Sequence, residues 1–251
     1  MTEKKWPLAP LVCFVSGSTK GIGFAIVQSM LNRGMRVIGN SRTERSNLAL
    51  DFQLLMDRDQ GLDYYAGDLS KEEVAEYIFR EVMKKYGRID ILVNNIGSSY
   101  KKPFIRMTSD DFHKALDINL LHAVYCSKYV ICGMIQRKYG RIINISSIAG
   151  TNGMPFEAHY SAAKAGLIGL TKSIALEYGS MGITCNVVAP GIIDIDGHMK
   201  KEMFENKVMD LIPVHRFGTP KEIAETVVFL SSKDAGYING QVIKVDGGLY
   251  I

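Results

Sequence analysis

Short apolar runs rich in valine and isoleucine recur along the chain at positions 11–16, 36–40, 63–66, 89–94, 141–146, 184–189 and 241–245. Their near-continuous hydrophobicity, without polar alternation, predicts strands buried on both faces of a parallel sheet. Between them apolar residues return every three or four positions, as at Ile22, Ile26, Val27, Met30 and Leu31, and again at Val74, Ile78, Phe79 and Val82. That period predicts helices, with two long ones over 109–137 and 159–181. Strand and helix alternate throughout, so the expected architecture is a three-layer α/β/α sandwich around a seven-stranded parallel sheet. Only 192–220 departs from the rhythm, with Met199, Met203, Phe204, Val208 and Met209 among charges. It follows the sixth strand at the sheet edge where such folds hold ligands, which predicts a small helical lid on an otherwise single domain covering 1–251.

Composition narrows the function. A chain of 251 residues, 47% hydrophobic and 22% charged, can bury one large core without a metal or disulfide staple. Lys and Arg number 30 against 26 for Asp and Glu, and the resulting charge of +4 is spread along the chain, so no nucleic-acid surface is implied. Cys13, Cys126, Cys132 and Cys185 form no CxxC pair and have no histidines at zinc-ligand spacing. They read as buried, reduced thilols of a cytoplasmic protein, with no metal site. The apolar stretch 8–15 is broken by Pro10 and falls short of the roughly 18–20 residues that cross a bilayer, so no signal peptide or membrane anchor is expected.

The first strand runs through Ser16 into Gly17-Ser18-Thr19-Lys20-Gly21-Ile22-Gly23 and directly on into a helix. Glycines there let the backbone turn tightly and approach a pyrophosphate, which the free N–H groups of the helix N-terminus can bind. After the second strand, where a carboxylate would hold the ribose diol of NAD and repel a 2′-phosphate, the sequence reads Ser41-Arg42. A hydroxyl followed by a guanidinium able to grip a phosphate bidentately favours NADP over NAD, and Lys20 adds a second positive charge. Asp68-Leu69 after the third strand and the turn Asn94-Asn95-Ile96-Gly97 after the fourth fall on the same sheet edge. Asp68 there would accept from the adenine amino group, and Asn95 and Gly97 would pack near the adenosine.

Tyr160 and Lys164, four apart, share one helical face. Chance supplies such a pair in a chain with 12 tyrosines, so its meaning comes from its neighbours. Ser147 follows the fifth strand, and Asn119 stands midway along the 109–137 helix. Reducing a carbonyl develops negative charge on oxygen, which needs a proton donor and hydrogen-bond support. A phenol with a pKa of about 10 gives up its proton more readily beside an ammonium group. Ser147 would orient the carbonyl oxygen, Lys164 would also hold the nicotinamide ribose, and Asn119 would fix a water that returns protons from solvent.

These motifs, with Asn186-Val187-Val188-Ala189-Pro190-Gly191 and Val245-Asp246-Gly247-Gly248, make the chain resemble the short-chain dehydrogenases/reductases over nearly its whole length. The likeness is greatest to the 3-oxoacyl-(acyl-carrier-protein) reductase-like members. It implies a Rossmann fold, an Asn119-Ser147-Tyr160-Lys164 tetrad, a nicotinamide end bounded by Pro190, Gly191 and Ile193, and a homotetramer built on the two long helices. The implied activity is NADPH-dependent reduction of a 3-oxoacyl thioester or similar ketone to a secondary alcohol. A free ketone or alcohol of sugar, steroid or alkaloid type is the alternative substrate, and a non-catalytic nucleotide-sensing scaffold is the reading from a different class. Several positions depart from the family pattern. Ser16 replaces Thr, Ile96 replaces the Ala of an NNAG turn, and Ile195 stands where Thr commonly meets the carboxamide. Of two surface positions that tend to be Arg, Lys138 keeps the charge and Met181 loses it, which argues against docking of an acidic carrier protein.

Overall fold

The computed structural model describes residues 10–195 and 209–251. Seven parallel strands form one sheet in the order β3-β2-β1-β4-β5-β6-β7: β1 (Val12–Ser16), β2 (Arg36–Ser41), β3 (Leu62–Ala66), β4 (Ile91–Asn94), β5 (Gly140–Ile145), β6 (Ile183–Pro190) and β7 (Val242–Val245). The seven apolar runs of the sequence are these seven strands, shifted at their ends by two residues at most. Successive side chains of β1 point to opposite faces: Cys13 and Val15 pack on one helical layer, Val12 and Phe14 on the other.

Helices α1 (Gly21–Leu31), α2 (Leu50–Arg58) and α8 (Pro220–Ser231) cover the first face, burying Ile26, Met30, Phe52 and Val227. Helices α3 (Glu72–Tyr86), α5 (His122–Arg137) and α7 (Ala158–Tyr178) cover the second with Ile78, Val82, Cys126 and Ile174, and the Phe14 and Phe79 rings meet there at 4.6 Å. The expected α/β/α sandwich is thus what the chain forms. Thr219 starts α8 with a capping box: its hydroxyl accepts from the Glu222 N–H, the Glu222 carboxylate accepts from the Thr219 N–H, and Pro220 opens the first turn.

Three expectations need correction. The helix read over 109–137 is α4 (Ser109–Leu116), a π-helical turn (Asp117–Leu121) and then α5. That stretch is long and apolar enough to cross a bilayer by composition alone, yet Ala123, Cys126, Val130 and Met134 are buried inside the protein. The helix read over 159–181 gives way to a 3₁₀ turn at Gly179–Met181. Cys132 is exposed, while the other three cysteines are buried free thiols. Met199, Met203, Phe204 and Val208 of the expected lid lie outside the described residues. The described flanks of that segment are held to the body: Gly218 N–H donates to Ile192 and Asp194 N–H to Gly218, while Val214 N–H donates to Gly247.

Candidate active site

Strand order reverses between β1, which continues outward to β2, and β4, which continues to β5 in the other direction. At the carboxyl ends of these strands lies a crevice of about 780 Å³, the place where an open parallel sheet holds a ligand. Its floor is the glycine loop. Gly17 takes the left-handed φ of +60°, and a Cβ on Gly23 would stand 2.1 Å from the Gly17 carbonyl oxygen, so only glycine lets α1 start this close under the loop. Ser16 keeps the hydroxyl that its position needs: its Oγ accepts from the Asn95 N–H at 2.9 Å, and Asn95 Nδ2 donates to the Gly17 carbonyl at 3.0 Å, tying β4 to the loop.

The cationic end of the crevice is formed by Lys20, Ser41 and Arg42, with both cations exposed. Asp68 also lines it, and Oδ1 of its carboxylate accepts from the Ser70 N–H and hydroxyl.

The opposite end is built by α6 (Ile148–Asn152) and α7. Ser147 caps α6, its Oγ accepting from the Ala149 N–H at 3.1 Å. The two helices cross closely: a Cβ on Gly150 would be 2.8 Å from the Lys164 backbone, and the Ser146 hydroxyl donates to the Lys164 carbonyl at 2.9 Å. This crossing sets Ser147 beside Tyr160 on the wall of the crevice. Lys164 Nζ lies 5.8 Å from the centre of the Tyr160 ring, is 2% exposed as a residue, and donates to the Ile145 carbonyl at 2.8 Å and the Ile96 carbonyl at 3.3 Å. Burial pulls the Lys164 ammonium down to about 7, and burial holds the Tyr160 phenol above its ordinary value, the neighbouring Ser147 hydroxyl acting the other way.

A family model described as enoyl-(acyl carrier protein) reductase matches residues 17–250. The 3-oxoacyl-(acyl-carrier-protein) reductase FabG of Haemophilus influenzae is 38% identical over 243 residues, covering 96% of this chain and 98% of that protein. The chain belongs to the short-chain dehydrogenase/reductase family. FabG of Escherichia coli is 37% identical over 96% of this chain and 97% of its own length. A crystal structure of an Agrobacterium tumefaciens protein provisionally named a gluconate dehydrogenase superposes with a TM-score of 0.90 at 32% identity, over 97% of this chain and 98% of that one.

Within this short-chain dehydrogenase/reductase fold, the structure brings Gly17, Thr19, Lys20, Gly21, Ile22, Gly23, Ser41, Arg42, Asp68, Asn95, Gly97, Ser147, Tyr160, Lys164, Pro190, Gly191 and Ile193 to one crevice. Three residues of the sequence reading stand apart. Ser18 is buried beneath the loop, its N–H and hydroxyl both directed to the Asn40 carbonyl. Leu69 is fully buried in the core. Asn119 lies in the π-helical turn, and its side chain is spent: Nδ2 donates to the Ser98 and Ala115 carbonyls at 3.0 Å each, and Oδ1 accepts from the Ser98 N–H at 2.9 Å. It braces the Gly97–Ser98 backbone beside Lys164 and leaves no side-chain donor for a water.

The departures also find places. Ile195 lines the crevice, and a Cβ on Gly21 would meet its Cγ2 at 3.0 Å. Ile96 lends its carbonyl to Lys164. Sequence reasoning missed a buried chain in which Asn94 Nδ2 donates to Asn144 Oδ1, and Asn144 Nδ2 to Thr171 Oγ1, each at 2.8 Å. It fixes α7, and with it Tyr160 and Lys164, to the middle of the sheet. The Val245-Asp246-Gly247-Gly248 turn supports the far wall, since Gly191 N–H donates to the Val245 carbonyl and its missing side chain leaves room for Asp246.

Proposed function

We propose that this protein is an NADPH-dependent reductase that converts the ketone of a 3-oxoacyl thioester to a secondary alcohol. The observation that carries the proposal is the convergence of Ser147, Tyr160 and Lys164 at one end of a crevice whose other end carries Lys20 and Arg42. The crevice suits a dinucleotide: the close passage at Gly23 opens the loop N–H groups to a pyrophosphate, Arg42 and Lys20 supply charge for a 2′-phosphate, Asp68 retains acceptor capacity for the adenine amino group, and Lys164 is the ribose donor at the nicotinamide end. The bound nicotinamide supplies hydride.

The chain's own groups handle the oxygen. Ser147 donates a hydrogen bond that orients the carbonyl, and Tyr160 transfers its phenolic proton to the oxygen as negative charge develops there. Lys164, held by the Ile145 and Ile96 carbonyls, favours loss of the phenolic proton in its charged form, which burial confines to pH values up to about 7. Asn119 acts as a positioning residue for the Gly97–Ser98 backbone. The acyl substrate is supported by the two FabG relatives and by the exposed apolar side chains Tyr100, Phe104, Ile105 and Phe156, whose segments are linked where the Lys102 N–H donates to the Phe156 carbonyl. The exposed Leu176 on α7 fits a helix-to-helix contact between subunits of a homotetramer.

A second substrate class, a sugar acid or other polyol ketone, is favoured by the similarity to the provisionally named gluconate dehydrogenase and by Ser98 and Ser99 in the crevice lining. A panel of 3-oxoacyl thioesters and polyol ketones, assayed with NADPH and with NADH, separates the two. The expected result is oxidation of NADPH with the thioesters at a kcat/KM at least about tenfold above that with any polyol ketone, a difference of about 1.4 kcal/mol. Faster turnover of the polyol ketones would transfer the proposal to the second class.

A further inference from the structure

The hydroxyl of Ser41 faces the crevice, but it is not free to bind a phosphate. Tyr64 on β3 lies beside Gly39 of β2, with its ring packed edge-on against Phe52 at 5.6 Å and its phenol rising to the end of β2. The phenol has one proton and three oxygens in reach: the Thr43 carbonyl at 2.5 Å, the Ser41 hydroxyl at 2.7 Å and the Ser41 carbonyl at 3.3 Å. The shortest contact is to a carbonyl, which can only accept, so the Tyr64 proton goes to Thr43. The Ser41 hydroxyl is then the donor to the phenol oxygen and also accepts from the Thr43 N–H at 3.2 Å. All of these bonds close on the turn that has Arg42 at its centre. Tyr64 itself is 7% exposed and is absent from the crevice lining.

We propose that Tyr64 is a positioning residue for cofactor selectivity: its phenol locks the Ser41–Thr43 turn and so presents Arg42 to the 2′-phosphate of NADP. An exposed arginine side chain loses rotamer freedom on binding, and a wandering backbone beneath it would add to that loss. A latch that fixes the backbone beforehand moves part of this ordering into folding. The selectivity of the site then depends on a side chain that touches no part of the nucleotide. The inference rests on the NADP reading above.

The test compares wild type, Tyr64→Phe and Arg42→Ala by titrating binding of NADPH, NADH, 2′,5′-ADP and 5′-AMP, alongside deuterium uptake of the peptide covering 41–49. Phenylalanine keeps the ring on Phe52, so the variant is expected to fold. Tyr64→Phe should weaken NADPH and 2′,5′-ADP by about tenfold while NADH and 5′-AMP stay within about twofold, and should raise deuterium uptake in that peptide. In turnover with acetoacetyl-CoA, KM for NADPH should rise with kcat unchanged. Equal weakening of all four ligands would overturn the proposal. So would unchanged NADPH binding in Tyr64→Phe while Arg42→Ala shows selective loss, an outcome that leaves the NADP reading standing. If Arg42→Ala weakens NADPH no more than NADH, the NADP reading itself falls and takes the latch with it.

Discussion

Lys164 stands between two opposing demands. Burial disfavours its charge and pulls it from 10.5 to about 7, whereas the Ile145 and Ile96 carbonyls accept from its N–H groups and favour the charged form. Between those two values an unfolded chain still carries the Lys164 proton that the folded protein has released, so stability climbs with pH across that window. The limiting slope for one such group is about 1.4 kcal/mol per pH unit. Lys164→Met removes the group and should flatten this climb, raising Tm most below pH 7 while abolishing turnover. Thermal melts of both proteins from pH 6 to 10 check this, and parallel curves would contradict it. Tyr160 shows why the sequence alone misjudges such a pair. The four-residue spacing of Tyr160 and Lys164 implies an ammonium that lowers the phenol, whereas burial is the largest influence on it and holds it above its ordinary value. Burial at a helix crossing is a property of tertiary packing that neither residue announces.

At the scale of elements, the site depends on how closely α6 lies against α7. Gly150 is the point of contact, and a valine there would drive its side chain into the Lys164 backbone and the Ser146 hydroxyl, each 2.8 Å from where Cβ would be. Overpacking of this kind costs about 1–3 kcal/mol, and relief requires moving Ser147 away from Tyr160. Gly150→Val should therefore lower Tm by several degrees and kcat by at least about tenfold. A variant with the wild-type kcat would show that the crossing does not set the geometry. Strands and helices were legible because their hydrophobic periods are strong and because Gly17, Gly21 and Gly23 mark the first turn. The π-helical turn at Asp117–Leu121 was not, since its signal is a single Asn119 whose side chain takes the Ala115 carbonyl and the Ser98 backbone. The amphipathic pattern runs through it unchanged.

For the whole molecule, the alternation of strand and helix specified a parallel sheet, and the crevice follows from where strand order reverses. Residues at the ends of β1, β2, β3 and β4 are far apart in sequence, and their meeting in one cleft was readable because each follows an apolar run at the same edge. What the sequence concealed is support from behind: Asn144 and Thr171 read as ordinary polar residues and Asn94 only as the start of the Asn94–Gly97 turn, although their bonded chain anchors α7. Tyr64 was equally silent within its strand. The central claim is that the half-buried Tyr160 phenol at the end of this cleft gives its proton to a carbonyl oxygen. It is tested most directly by measuring NADPH oxidation with a 3-oxoacyl thioester, together with NADPH binding, for wild type and Tyr160→Phe. The account expects turnover to fall by about 10²–10⁴-fold in the variant, with NADPH bound within about threefold of the wild-type affinity. Turnover by Tyr160→Phe at the wild-type rate would contradict it.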